Sequence, residues 1–272
     1  MPEPAVISHR GFAGVAPENT IEAARVASEH PSTDMIEIDV QPAACGTPVV
    51  IHDDRLEGTR DGRPLTDSEG IVWETSLEDL SNARILGTDE TVPTLEAFLT
   101  AVGPGVGVNV ELKNPGTPSI RPAESLSRSA RAERRAIWEP FVERVVEVCD
   151  GFDGEVLFSS FCAGALAAIR NVAPEYSIGT LVEDDLETSL EIAREYDCEA
   201  IHPPRNAIVG TALSTESSAG VSEAPTVDLL EVARDEGRTV NVWTVDTWIQ
   251  FDQLRSAGVD GIIVNYPGLD SW

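Results

Sequence analysis

Nine short runs rich in Val and Ile punctuate this chain, and amphipathic stretches separate most of them. The runs are "AVISH" (5–9), "MIEIDV" (35–40), "PVVIH" (48–52), "GVNVEL" (107–112), "EVLFSSF" (155–161), "YSIGTLV" (176–182), "CEAIH" (198–202), "TVNVWTV" (239–245) and "DGIIVN" (260–265). Helical spacing of apolar residues recurs in "NTIEAARVASEH", "TLEAFLTAV", the segment 123–149, "GALAAIRNVA", "LETSLEIAREY", "VDLLEVARDEG" and "WIQFDQLRSAG". Strands apolar on both faces, alternating with helices, are the mark of a parallel sheet covered on its outer side.

A closed (β/α)8 TIM barrel needs eight strands, one fewer than this chain offers. The surplus run is "PVVIH", which follows "MIEIDV" across the seven residues "QPAACGT". A parallel crossover takes about a dozen residues or more, so this pair is expected to form a hairpin-like excursion. Residues 43–93 also carry the turn-rich stretches "EGTRDGRP" and "DSEG". The expectation is therefore an α/β chain folded as one TIM-barrel catalytic domain over 1–272, with a small insertion after the second barrel strand at 43–93. A doubly wound open sheet competes, but no G-x-G-x-x-G follows the first strand.

Strand side chains alternate faces. Glu37 and Asp39 thus share one face of "MIEIDV", while Asn109, Glu111 and Lys113 share one face of "GVNVELK". Both sets lie toward the C-terminal ends of their strands, where barrel active sites form. Three convergent carboxylates call for a cation, and hard oxygen donors favour one divalent ion, Mg²⁺ or Ca²⁺. His9 and His52 end neighbouring strands in "SHRG" and "IHDD", and suit general acid and base work. With Arg10 and Lys113 added, the set describes phosphoryl transfer more readily than acyl transfer or redox chemistry. His30 ends a predicted helix and reads as solvated or a cap; His202, in "IHPP", reads as a residue of the pocket rim.

Charge narrows the partners. The chain has 47 acidic against 19 basic residues, a formal net charge of −28, and Lys113 is its single lysine. Such a surface repels nucleic acid and anionic membranes, and no run is long enough to insert into a bilayer. Charge of this size with lysine almost eliminated points to concentrated salt, where self-repulsion is screened. The N-terminus lacks a basic leader and an apolar core, so the expected setting is a high-salt cytoplasm. Cys45, Cys149, Cys162 and Cys198 are scattered, with neither zinc nor disulfide spacing.

The same residues, in this order, resemble the glycerophosphodiester phosphodiesterase family. The matching pieces are "SHRGFAGVAPENTIEAA" (8–24), "DMIEIDVQ" (34–41), "PVVIHDDRLEGT" (48–59), "VPTLEAFL" (92–99), "NVELK" (109–113), "SSF" (159–161), "VNVWTVD" (240–246) and "GVDGIIVNYP" (258–267). The resemblance implies a TIM barrel and metal-dependent hydrolysis of small-molecule glycerophosphodiesters to glycerol phosphate and an alcohol. It implies Glu37, Asp39 and Glu111 as metal ligands, His9 and His52 as the acid/base pair, and Arg10 and Lys113 as phosphate contacts. Trp243 is then a wall against the glycerol, and Glu18 a support for Arg10 or a histidine. A lysophospholipase D-like activity on lipid substrates with the same site is the alternative. Two positions depart from the family pattern: Cys45 precedes Gly46 where Asp is usual, and Asn265 stands where the last strand often has Asp.

Overall fold

The structure is a computed structural model and describes residues 3–215 and 227–271. Eight parallel strands close on themselves: β1 (Ala5–His9), β2 (Met35–Pro42), β6 (Gly107–Leu112), β7 (Val156–Ser160), β8 (Ser177–Leu181), β9 (Ala200–His202), β10 (Thr239–Val245) and β11 (Gly261–Val264). Closure comes from β1, which pairs with β2 on one side and β11 on the other. The ninth strand, β3 (Pro48–Val50), runs antiparallel to β2, with Val40 opposite Val50. It is the excursion expected from the short "QPAACGT" connection.

Helices α1 (Ile21–Glu29), α3 (Leu95–Ala101), α4 (Arg128–Cys149), α5 (Ala163–Val172), α6 (Leu186–Glu195), α7 (Leu229–Glu236) and α8 (Trp248–Ala257) lie on the outside. Local chemistry sets their ends. Thr20, Thr94 and Asp228 accept a hydrogen bond from the third residue beyond them, and Thr247 with Gln250 forms a capping box. These contacts satisfy amide groups that a helix start leaves without partners. The outward strand residues Ile36, Ile38, Val40, Val108, Val110 and Leu112 join the helices in one large apolar core.

Segment 43–93 adds a two-residue-per-strand hairpin, β4 (Thr59–Arg60) and β5 (Arg63–Pro64), and a short helix α2 (Leu77–Asn82). Val49, Ile51, Leu56, Val72, Leu80 and Ile85 give it an apolar cluster of its own. No helix among the described residues is long and apolar enough to cross a membrane.

Inside the barrel, Ile7, Met35, Leu157, Ala200 and Ile263 form an apolar plug. One layer above it the residues turn polar. His202 is fully buried there, hydrogen-bonded through Nε2 to Asn241 at 3.2 Å. Its place corrects the rim position expected from "IHPP": the side chain points into the barrel interior. Two glycines leave the room. A Cβ on Gly179 would come within 2.7 Å of His202 Nε2, and one on Gly261 within 2.4 Å of Asn241 Oδ1.

Burial pushes the His202 imidazole down to about 4. The unfolded chain takes up that proton near the ordinary value of 6.5. Stability contributed by the neutral ring is therefore complete above that value and lost as pH falls toward 4, by about 3 kcal/mol in all. His202→Gln should show a smaller fall in thermal midpoint than the parent between about pH 7 and about pH 5. Equal falls would remove His202 from the acid response.

Candidate active site

Register brings the carboxylates together. Glu37 lies beside Asn109 and Asp39 beside Glu111 across the β2–β6 pair, and His9 lies beside Glu37 across β1–β2. All three carboxylates are buried, and one oxygen of each falls within 4.8 Å of the others. Arg10 and Lys113 close on this cluster. The Arg10 guanidinium reaches Asp39 through Nε at 3.1 Å and Glu18 through Nη1 at 3.0 Å, while its backbone N–H donates to Glu37 at 3.0 Å. Lys113 Nζ stands 2.7 Å from Glu111 and 3.6 Å from Asp39.

These contacts sort the charges. Burial raises the Glu37 carboxyl well above the usual carboxylate range, and the neighbouring Asp39 and Glu111 push it further. Asp39 is buried too, yet Arg10, His52 and Lys113 hold it well below that range. Burial opposes the charge on Lys113, but Glu111 and Asp39 outweigh it and raise the ammonium. Glu37 is thus the carboxylate left without enough positive charge around it. A buried cluster of hard oxygens with one under-compensated member fits a divalent cation.

His52 arrives by a different route. It lies just beyond β3, on a loop that Gln41 fastens: the Gln41 Nε2 group donates to the carbonyls of Ile51, His52 and Asp53 at 2.9–3.1 Å. From there a row of polar and charged side chains crosses the mouth. His52 Nδ1 lies 3.4 Å from Asp53, Asp53 accepts from Arg60 at 2.5 Å, and Arg60 stands 3.2 Å from Glu18, the partner of Arg10. The hairpin of the excursion therefore supports Arg10 from above. Asn19 supports the floor, with Nδ2 donating to Asp39 at 2.9 Å.

Two cavities meet at His9 and Arg10. The inner one, about 150 Å³, is lined by the carboxylates Glu37 and Glu111, His52 and Lys113, with Phe161, Leu181, Trp243 and Ile263 as apolar wall. Trp243 is fixed by its indole N–H on the His202 carbonyl at 2.7 Å and by edge contact with Phe161. The outer cavity, about 640 Å³, is bounded by Glu18, Arg60, Arg63, Asp246, Asn265 and Tyr266 among others. Every site residue expected from the sequence borders one of the two cavities except Asp39, which contacts Arg10 beside them.

Sequence reasoning passed over Asn19, Gln41, Arg60 and Phe161. The i+2 spacing of Glu37, Asp39 and Gln41 was the available signal for Gln41. The Cys45–Gly46 departure is harmless in structure: Gly46 keeps a left-handed φ of 82° and donates to the Ala43 carbonyl at 2.7 Å. Asn265 is another matter, since it hydrogen-bonds His9 at 2.7 Å. His30 caps α1 and meets Phe12 edge-on.

Comparison with known proteins agrees with this geometry. The model of the glycerophosphoryl diester phosphodiesterase family matches residues 9–269. The glycerophosphodiester phosphodiesterase of Caldanaerobacter subterraneus subsp. tengcongensis is 28% identical over 271 residues, covering 96% of this chain and 94% of the relative. The Bacillus subtilis protein YhdW is 40% identical over 278 residues, with 96% and 94% covered. Among solved structures, an Oleispira antarctica phosphodiesterase in complex with the product sn-glycerol-3-phosphate superposes with a TM-score of 0.74 at 25% identity, over 97% of this chain and 94% of that one. A match across almost the whole chain, on a closed parallel barrel, establishes that this protein belongs to the glycerophosphoryl diester phosphodiesterase family and is a phosphoric diester hydrolase.

Proposed function

We propose that the protein hydrolyses glycerophosphodiesters to glycerol phosphate and an alcohol, with a divalent cation held by Glu37, Asp39 and Glu111. The observation that carries this reading is the placing of two cavities on either side of His9 and Arg10. A diester has two arms, and the phosphorus joining them belongs at that junction. The glycerol arm takes the inner cavity, with its carbon face on Trp243 and Phe161. The alcohol arm takes the outer, polar one.

Arg10 and Lys113 bind and orient the phosphate, each pre-set by the carboxylates that hold it. His9 and His52 face the reacting centre from two sides. One takes the proton of the attacking oxygen, from water or from the neighbouring glycerol hydroxyl, and the other returns a proton to the departing alkoxide. A divalent cation, Mg²⁺ or Ca²⁺, bound by Glu37, Asp39 and Glu111 would supply Lewis-acid polarisation and positive charge for the phosphate. Glu18 keeps Arg10 in place. Residues 43–93 act as an accessory subregion of one catalytic domain, delivering His52 and the Arg60 brace. The acidic composition, with lysine almost eliminated, supports work in a salt-rich cytoplasm.

A second reading has one observation in its favour. Val15 and Tyr266, which line the outer cavity, are 55% and 41% exposed and put apolar surface at its edge. A lysophospholipase D-like enzyme would use such a surface for an acyl chain. Against it, the inner cavity is the smaller of the two, about 150 Å³ against about 640 Å³, which favours a bare glycerol over one carrying a chain.

A panel of glycerophosphodiesters and a lysophospholipid, assayed in concentrated salt, separates the two. Turnover of the diesters should vanish on chelation and return with Mg²⁺ or Ca²⁺, and should be lost in dilute buffer along with the circular dichroism of the fold. Diester turnover after exhaustive chelation would reject the cation, and faster release of base from the lysolipid would favour the second reading. His9→Ala and His52→Ala should each lower kcat by about 10²–10⁴-fold. Lys113→Arg should lower kcat/KM by roughly tenfold, since a guanidinium fork does not fit where a compact ammonium sits; unchanged kinetics would show that the lone lysine has no special part.

A further inference from the structure

Three neighbouring strands end together at one side of the mouth. Just past the last pairs that join β10 to β11 and β11 to β1 stand Asp246, Asn265 and His9, the final residue of β1. Their side chains form a row. Asn265 Nδ2 donates to Asp246 Oδ1 at 2.7 Å, and Asn265 Oδ1 lies 2.7 Å from His9 Nδ1. The Asn265 backbone is fixed from both sides, donating to the Val245 carbonyl at 3.1 Å and accepting from Gly14 at 2.9 Å.

The chemistry of this row permits one assignment of its protons. A carboxylate accepts and does not donate, so Asp246 requires the NH₂ end of Asn265. Turning the amide over would set its carbonyl against Asp246 Oδ1 and its NH₂ group against His9. With the NH₂ end committed, the amide oxygen faces His9 Nδ1, which must therefore carry the hydrogen. In the neutral ring the lone pair is then on Nε2, the nitrogen nearer the carboxylate cluster, 3.9 Å from Glu37.

We propose that Asn265, anchored by Asp246, is a positioning residue that fixes the tautomer and orientation of His9, so that Nε2 is the atom exchanging a proton with the substrate. The consequence for reaction rests on the proton-transfer role of His9 argued above; the tautomer assignment does not. A neutral amide does here what a carboxylate does for many catalytic histidines: it accepts from the remote ring nitrogen. The charge of the pair has moved one strand along, to Asp246.

Long-range ¹H–¹⁵N NMR of the uniformly labelled protein at neutral pH reads the tautomer directly. The chain has four histidines, and His9 is assigned by the signal missing in His9→Gln. The expected form is Nδ1–H; an Nε2–H ring overturns the proposal. Kinetics supply the second arm. Asn265→Leu should lower kcat by about tenfold or more, part of the 10²–10⁴ that acid–base catalysis contributes, with KM changed by less than about threefold. Asn265→Asp alone places two carboxylates in contact and should also lose kcat. The double variant Asn265→Asp/Asp246→Asn restores one carboxylate and one amide with the donors reversed, and should recover kcat to within a few-fold of the parent. Parent-like kcat in Asn265→Leu, or no recovery in the double variant, overturns the positioning role. The double variant and the parent spectrum decide the matter even where the leucine variant fails to fold. An Nδ1–H ring combined with full turnover in His9→Ala would instead fail the proton-transfer reading and leave the tautomer standing.

Discussion

The structure depends on holding three carboxylates inside a protein. Glu37, Asp39 and Glu111 are buried at adjacent strand ends with oxygens within 4.8 Å of one another. Alone, such a group repels itself at short range where little water remains to screen it. The chain answers with two cations, Lys113 on Glu111 and Asp39 and Arg10 on Asp39, and then with groups that hold Arg10: Glu18 on Arg10, and Arg60 on Glu18. Each compensating charge calls for another farther out. The network therefore extends from the barrel floor to the hairpin of the excursion.

This explains why the excursion after β2 packs where it does. A strand antiparallel to β2 adds nothing to barrel closure. It carries His52 to the mouth, and Gln41, on the same face of β2 as Glu37 and Asp39, ties its loop down by three carbonyls. One strand thus presents two metal-ligand candidates and the fastening for a histidine that lines the same pocket. Rigid strands supply this accuracy better than loops, and here a loop borrows it from a strand.

Much of this was legible in the residues. β6 and β10 begin and end where the apolar runs predict, because strands buried on both faces leave a continuous signal. The inward sets on β2 and β6 follow from alternation alone. Helix α2 escaped notice because its six residues give too little periodicity to register. His202 was misplaced since alternation gives a face but not a depth, and depth depends on the stagger of strands around the barrel. The departure at Asn265 was visible in the sequence, yet its partner was not. Nothing in "VNYP" points to "SHRG" until the first and last barrel strands are paired.

That pairing has a consequence for how the protein comes into being. His9 and Asn265 are 256 positions apart, and their contact exists only once β11 has docked beside β1. Joining such distant segments carries a loop-closure cost and belongs among the slower events of folding. A partly folded barrel, even with β1, β2 and β6 in place and the carboxylates gathered, has a histidine free to swing and to take either tautomer. On the role proposed for His9, the site is complete only when the ring is closed, and turnover becomes a report on whether it has closed.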